Sequence, residues 1–181
     1  ISQGMINPAA LYNDPVKIDE LGVTGQYIGA QDSLYIEDFH LIFDGAELNV
    51  EGIINDVQHN PEILMSASLL NMPLINLKTY WPPQLLVGAR IWIDKNITGG
   101  MITDGKFEVA IRPDMWALPR LPDQSFKFDF NIEDASSHFL KPMPQLTQVS
   151  ATARLMLNHL ILNIKHGLVK NVEVKDVVLH F

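Results

Sequence analysis

Residues 125–133 decide the fold, and they read Ser-Phe-Lys-Phe-Asp-Phe-Asn-Ile-Glu. The apolar residues Phe126, Phe128, Phe130 and Ile132 alternate with polar ones throughout the stretch. Successive side chains of a β-strand point to opposite faces, so a period of two predicts a strand with one apolar and one polar face.

The same alternation recurs on both sides of this stretch. It predicts nine strands, at residues 21–28, 34–43, 46–54, 63–69, 106–112, 125–133, 151–157, 160–165 and 172–181. Turn-forming pairs are expected between them at Asp44-Gly45, Asn60-Pro61, Asp104-Gly105 and His166-Gly167. Many short strands at this spacing indicate an antiparallel, mainly β fold.

One segment departs from the pattern, because apolar residues in 83–97 recur at steps of three and four. This spacing predicts a helix near residues 83–97, with Pro82-Pro83 suited to its first turn. Thr98-Gly99-Gly100 is expected to end the helix, since glycine tolerates the left-handed conformation. The predicted fold class is therefore mainly β, a curved antiparallel sheet with one helix.

Composition limits the function classes. The 181 residues carry a net charge of −8, which argues against a nucleic-acid partner because such binding needs a basic surface. Cysteine is absent, which excludes disulfides and thiolate chemistry. The sequence contains no run of about 18 apolar residues, so no transmembrane segment is predicted. We expect a single β-rich segment, residues 1–181, of a longer chain.

Residue types that occur in catalytic and metal sites are present, but their spacing matches no known site. Asp134, Ser136 and His138 supply the residue types of a hydrolase triad, but such close neighbours rarely converge in the required geometry. The six histidines lack metal-ligand spacing. Adjacent carboxylates such as Glu37-Asp38 face opposite ways on a strand. We expect no enzyme activity, no cofactor and no metal.

Two blocks carry a family resemblance. The first contains a Trp-Pro-Pro step, then Gly-x-Arg-x-Trp and a Gly-Gly pair before a strand; its residues are Trp81, Pro82, Pro83, Gly88, Arg90, Trp92, Gly99 and Gly100. The second, weaker block spans residues 130–153. Together they resemble the central region of the AsmA/YhdP group of bridge-like lipid transfer proteins. Residues 33–181 would form one such unit, with 1–32 as the end of a preceding repeat unit.

The resemblance implies a periplasmic protein whose parent chain is anchored in the inner membrane of a Gram-negative bacterium. Such proteins conduct phospholipid between the inner and outer membranes along an apolar β-groove, and adjacent groove units of the same chain are partners. The residues expected to line the groove against acyl chains are Phe126, Phe128, Phe130, Ile132, Phe107, Val109 and Ile111.

Structural roles are expected for the residues of the first block. Trp92 would pack the helix on the sheet, and Arg90 would meet a carboxylate, a carbonyl or a lipid headgroup. The alternative interpretation is a closed β structural or interaction module in envelope assembly, in which the same apolar stripes pack against each other as an ordinary core and no lipid binds.

Overall fold

The computed structural model describes residues 2–6, 15–81, 87–138 and 144–180. Ten strands lie in these ranges: β1 Ser2–Ile6, β2 Val16–Ile28, β3 Ser33–Phe43, β4 Ala46–Asn55, β5 Glu62–Pro73, β6 Ile97–Ile111, β7 Phe126–Ser137, β8 Leu146–Met156, β9 Leu160–Val169 and β10 Val172–His180. All nine predicted strands are found, and β1 is an additional one. The predicted mainly β, antiparallel fold is confirmed.

Each strand pairs antiparallel with the next strand in the sequence, so the spatial order runs from β1 to β10 without a crossover. Among the described strands, β1 and β10 are the two edges of the sheet. Short hairpin loops join β2 to β5 in succession and β8 to β10, whereas β5–β6 and β6–β7 have longer connections. At the β3–β4 hairpin, Asp44 and Gly45 both have positive φ, 49° and 79°, which is typical of the type I′ turn that matches strand twist.

The connection between β5 and β6 is helical. It contains a 3-10 turn, Leu74–Asn76, the single helical turn α1, Leu77–Tyr80, and the helix α2, Val87–Asn96. We call residues 74–81 and 87–96 the helical insert. Among the described helices, none has the length and apolar character needed to cross a membrane.

The expected helix near residues 83–97 is found as α2, which ends at Asn96. The expected role of the glycines as its cap is wrong, because Ile97, Thr98, Gly99 and Gly100 already belong to β6. Gly99 pairs with Ser136 of β7, and Gly100 falls where the register of this pair shifts. Pro82 and Pro83, the predicted first turn, fall outside the described residues.

Two predicted turns are also wrong, because glycine serves close packing there. Asp104-Gly105 lies inside β6, and a Cβ on Gly105 would come within 2.5 Å of the Phe128 ring. His166-Gly167 lies inside β9, where a Cβ on Gly167 would meet a methyl carbon of Leu146 at 3.1 Å. In both cases the missing side chain makes room for a neighbour on the next strand.

A line of irregular positions crosses the sheet near the helical insert. Asn71, Asp134, Gln148 and Asp176 lie on β5, β7, β8 and β10 and have φ between 49° and 55°. Asp134 and Gln148 fall where the strand register shifts, as in β-bulges, whereas the register is unchanged around Asn71 and Asp176. Bulges bend strands and increase their twist, so β7 and β8 bend at these two positions.

Candidate functional site

One face of the sheet is apolar across nearly its whole width. Two neighbouring rows of paired residues cross the strands, and we call them the central rows. The first contains Leu21, Leu41, Leu48, Leu69, Gly105, Phe130, Ala153, Leu162 and Leu179 on β2 to β10. The second contains Val23, Phe39, Val50, Ala67, Phe107, Phe128, Leu155 and Leu160 on β2 to β9.

The opposite face carries a ladder of charged and polar groups. Lys127 Nζ lies 3.3 Å from a Glu108 oxygen and 3.2 Å from an Asp129 oxygen. Arg154 Nε donates to Asp129 at 2.6 Å, and Asn131 Nδ2 donates to a carboxylate oxygen of β6 at 2.6 Å. The Arg154 guanidinium holds the pKa of the Asp129 carboxyl below its ordinary value. This face is therefore built to contact water.

The apolar face is covered at one end. The helical insert packs there on the strand ends of β3 to β9, where Tyr80 meets the Phe43 ring of β3 with centroids 4.4 Å apart. The core residues beneath the insert are almost inaccessible: Ile102 is 0% exposed and Ala151 is 2% exposed. Leu74, Leu77, Tyr80 and Trp81 of the insert contact this core. We call this region the covered end.

The apolar face is less protected on β2 to β5. Phe39, Val50 and Ala67 of the second central row are half-buried and stand outside the main core cluster. Val23, in the same row, is 65% exposed. On the same strands Phe43, Ala46 and Leu69, nearer the insert, are buried core. We call the second central row on β2 to β5, residues Val23, Phe39, Val50 and Ala67, the open end.

All seven expected lining residues share the apolar face. Phe126, Phe128, Phe130 and Ile132 lie on β7, and Phe107, Val109 and Ile111 lie on β6. Phe128 stacks on Phe107 with ring centroids 3.8 Å apart and on Phe130 at 4.4 Å. Phe128 is only 4% exposed, so it belongs to the core, whereas the other six are half-buried.

An apolar pocket lies between the helical insert and the sheet. Its walls include Trp81, Trp92 and Ile93 of the insert and Phe128, Phe130, Ile132, Ala151 and Leu162 of the sheet. The volume open to the centre of a water molecule is about 80 Å³, which holds several waters but not a whole lipid chain. Because the central rows form part of its wall, a longer apolar chain would continue along them.

The residues of the family-like block have unequal roles in the structure. Trp81 and Trp92 both line the pocket, and Arg90 is half-buried on α2. Gly100 has a φ of +116°, and a Cβ at this position would lie 2.5 Å from the Ala135 Cα. Only glycine therefore fits there. Gly88 and Gly99 differ, since a Cβ on either would meet no described atom within 4 Å.

Sequence reasoning missed two features. Ser137, the last residue of β7, is buried beside the pocket, and only the packing of the insert makes this visible. Asp32, Asp56 and His59 place ligand-type atoms within 4.8 Å of one another, although they are separated in sequence. These three could hold a cation, but Tyr27, Gln58 and Asn60 already donate hydrogen bonds to the two carboxylates.

Comparison of the chain with protein-family models, with curated proteins and with solved structures finds no match.

Proposed function

We propose that the apolar face holds the acyl chains of phospholipid while the headgroup stays in water. In this proposal the chain is a segment of a periplasmic protein, anchored through its parent chain in the inner membrane, that conducts phospholipid between the inner and outer membranes. The observation that carries the proposal is the pair of central rows, which stay apolar over nine and eight strands, the second row being left partly open on β2 to β5.

The length of the rows suits a sliding acyl chain. Strands lie about 4.8 Å apart, so nine strands extend over about 38 Å. One leaflet of a bilayer core is about 15 Å thick, which sets the length of one acyl chain. A chain lying along a row therefore covers three or four strands, and it can shift along the row with the same kind of contact at each step.

The energetics support a passive mechanism. Burying a methylene contributes about 0.8 kcal/mol, so ten methylenes on the open end contribute about 8 kcal/mol before the entropy cost of binding. The contact is non-directional, and no covalent step or cofactor is involved. The polar ladder on the opposite face keeps that surface in water, so lipid is expected on one face only.

The location in the periplasm and the inner-membrane anchor come from the family resemblance in residues 81–100 and 130–153. Adjacent units of the same parent chain would extend the apolar rows beyond β2 and β10, because among the described residues β1 pairs only with residues 16–20 of β2 and β10 pairs only with β9. Separation of periplasm from cytoplasm, followed by detection of the parent chain with an antibody, tests this location.

A second candidate function follows from the covered end. There Ile102, Ala151 and Leu155 are 0–4% exposed, as in an ordinary core. A structural or interaction module of the cell envelope, without a lipid ligand, needs nothing more than this self-filled core. The two functions differ in what the open end does.

A matched pair of charge substitutions tests the proposal. Ala67 and Ser68 are neighbours on β5, with Ala67 in the second central row and Ser68 on the polar face opposite Lys106. Native mass spectrometry with palmitoyl-oleoyl phosphatidylethanolamine should show bound lipid on the wild-type chain and on Ser68→Asp. Ala67→Asp should lose about tenfold or more in lipid affinity, because an unpaired charge faces the acyl chain.

Circular dichroism of both variants checks that the sheet persists. A folded wild-type chain that binds no phospholipid would favour the structural module. Equal binding by Ala67→Asp and Ser68→Asp would place any lipid away from the open end.

A further inference from the structure

The hydroxyl of Ser137 is an anomaly in the apolar pocket. Ser137 pairs across strands with Ile97 and Leu146, and all three line the pocket beneath the helical insert. Ser137 is 6% exposed, and its Oγ is shielded from solvent and has no hydrogen-bond partner among the described residues. A buried hydroxyl without a partner is costly, and native proteins retain few of them.

The other buried polar residues behave differently. Within the described ranges, Ser33 and Ser125 are the remaining buried polar side chains. Ser33 Oγ lies 2.9 Å from Asn55 Oδ1 and 3.1 Å from a backbone carbonyl, and Ser125 Oγ lies 3.5 Å from the Met115 sulfur. The fold therefore supplies partners for its buried hydroxyls elsewhere, and Ser137 stands apart at the pocket.

Ser137 also lies at a boundary. The next residue, His138, is exposed, and Thr98 and Gln145 are joined nearby by a 2.7 Å hydrogen bond at the surface. We call Thr98, His138 and Gln145 the polar rim. Along β7, Ser137 comes next to His138 of the rim, and the wall residues Ile132 and Ala151, which pair with each other, lie farther from it.

We propose that the Ser137 hydroxyl donates a hydrogen bond to the ester carbonyl of an acyl lipid whose chain enters the pocket. This inference rests on the proposed function and names the chemical group that the pocket recognises. An ester lies between the acyl chain and the headgroup, the same order as pocket, Ser137 and polar rim. Rotation of the serine side chain between staggered positions turns Oγ toward the carbonyl.

The lining favours an ester over a charged group. None of the described residues that line the pocket carries a charge. A free carboxylate or a phosphate there would be buried without a counter-ion, which is far more costly than burying a neutral carbonyl. One neutral hydroxyl is sufficient for one neutral acceptor, so the charged headgroup stays at the polar rim or beyond it.

The test compares two lipids that differ only at this group. Diester phosphatidylethanolamine and its diether analogue of equal chain length are titrated separately, and affinities are measured by native mass spectrometry. The wild-type chain should bind the diester about five- to tenfold more tightly, the effect expected of one buried hydrogen bond. Ser137→Ala should bind both lipids equally, at the affinity of the diether. Ser125→Ala, the matched control, should keep the wild-type preference.

Each other outcome is decisive. If the wild-type chain binds both lipids with the same affinity, or if Ser137→Ala keeps the ester preference, the Ser137 assignment is overturned while the proposed lipid function stands. If the folded wild-type chain binds neither lipid, the proposed function fails and the Ser137 assignment fails with it.

Discussion

Phe128 and Val23 lie in the same cross-strand row on the same face of one sheet, yet Phe128 is 4% exposed and Val23 is 65% exposed. The alternating sequence pattern assigns both to the apolar face but cannot tell them apart. The helical insert makes the difference, because Phe128 lines the pocket beneath it and Val23 does not. Patterning thus selects the face, and tertiary packing decides which part of that face stays accessible.

The largest expected difference between the two ends comes from aromatic truncation. Phe128→Ala should lower the free energy of unfolding by about 3–5 kcal/mol, the usual cost of emptying a buried aromatic site. Phe39→Ala, in the same row at the open end, should cost about 1–2 kcal/mol because the ring is only half-buried. Urea unfolding measures both. Equal costs would show that the open end is as tightly packed as the covered end.

Gly99 and Gly100 are adjacent at the covered end but should differ in how strongly they tolerate a side chain. Gly100→Ala should destabilise the fold by about 2–4 kcal/mol, because φ is +116° and the new Cβ would press on the Ala135 backbone. Gly99→Ala should change stability by less than about 1 kcal/mol, since no described atom lies within 4 Å of its Cβ position. Thermal unfolding of the two variants is the measurement, and similar melting temperatures would contradict the pairing of Gly100 with Ala135.

Removal of the hydroxyl of Ser137 should stabilise the lipid-free protein. Ser137→Ala replaces a buried Oγ that has no partner within the described ranges with apolar surface, so we expect the free energy of unfolding to rise by about 1 kcal/mol. Ser33→Ala should do the reverse, because the Ser33 hydroxyl has two partners. Urea unfolding in the absence of lipid distinguishes the two. Loss of stability in Ser137→Ala would mean that its hydroxyl has a partner in solution.

The smallest expected effect is a titration at the covered end. Burial, followed by a hydrogen bond to Asp44, raises the pKa of Tyr80 from 10.0 to about 12. Because the raised pKa favours the neutral phenol, this contribution to stability is complete below pH 10 and is lost as the pH rises through about 12. The absorbance difference at alkaline pH between wild type and Tyr80→Phe measures it. A midpoint near 10 would place Tyr80 in water.

The sequence predicted the strands well, because alternation reports directly on a half-buried sheet. It failed where glycine has two uses, since Gly105 and Gly167 look like turn residues but make room for Phe128 and Leu146. Strand β1 was missed because its five residues are too short and too glycine-interrupted to show a period. No local pattern could reveal the burial of Ser137, which depends on the helical insert.

The sequence indicated which face of the sheet is apolar, but not which part of that face is accessible. The expected lining residues on β6 and β7 do share one face, yet they lie beside the covered end, where Phe128 is core. The accessible part lies on β2 to β5, whose residues Phe39 and Val50 carry no distinguishing signal in the sequence. The exposure of a residue in a row depends on which elements pack above it, and these elements are distant in the sequence.

The most direct test of the account is photo-crosslinking with a phosphatidylethanolamine that carries a diazirine in its acyl chain. After irradiation, peptide mapping should find adducts on the apolar face at the open end, at Phe39, Val50 or Ala67, and continuing toward the pocket walls. Their strand neighbours Asn49 and Ser68, which point to the polar face, should stay unlabelled. Equal labelling of the two faces, or labelling confined to the polar face, would contradict the claim that the apolar face binds acyl chains.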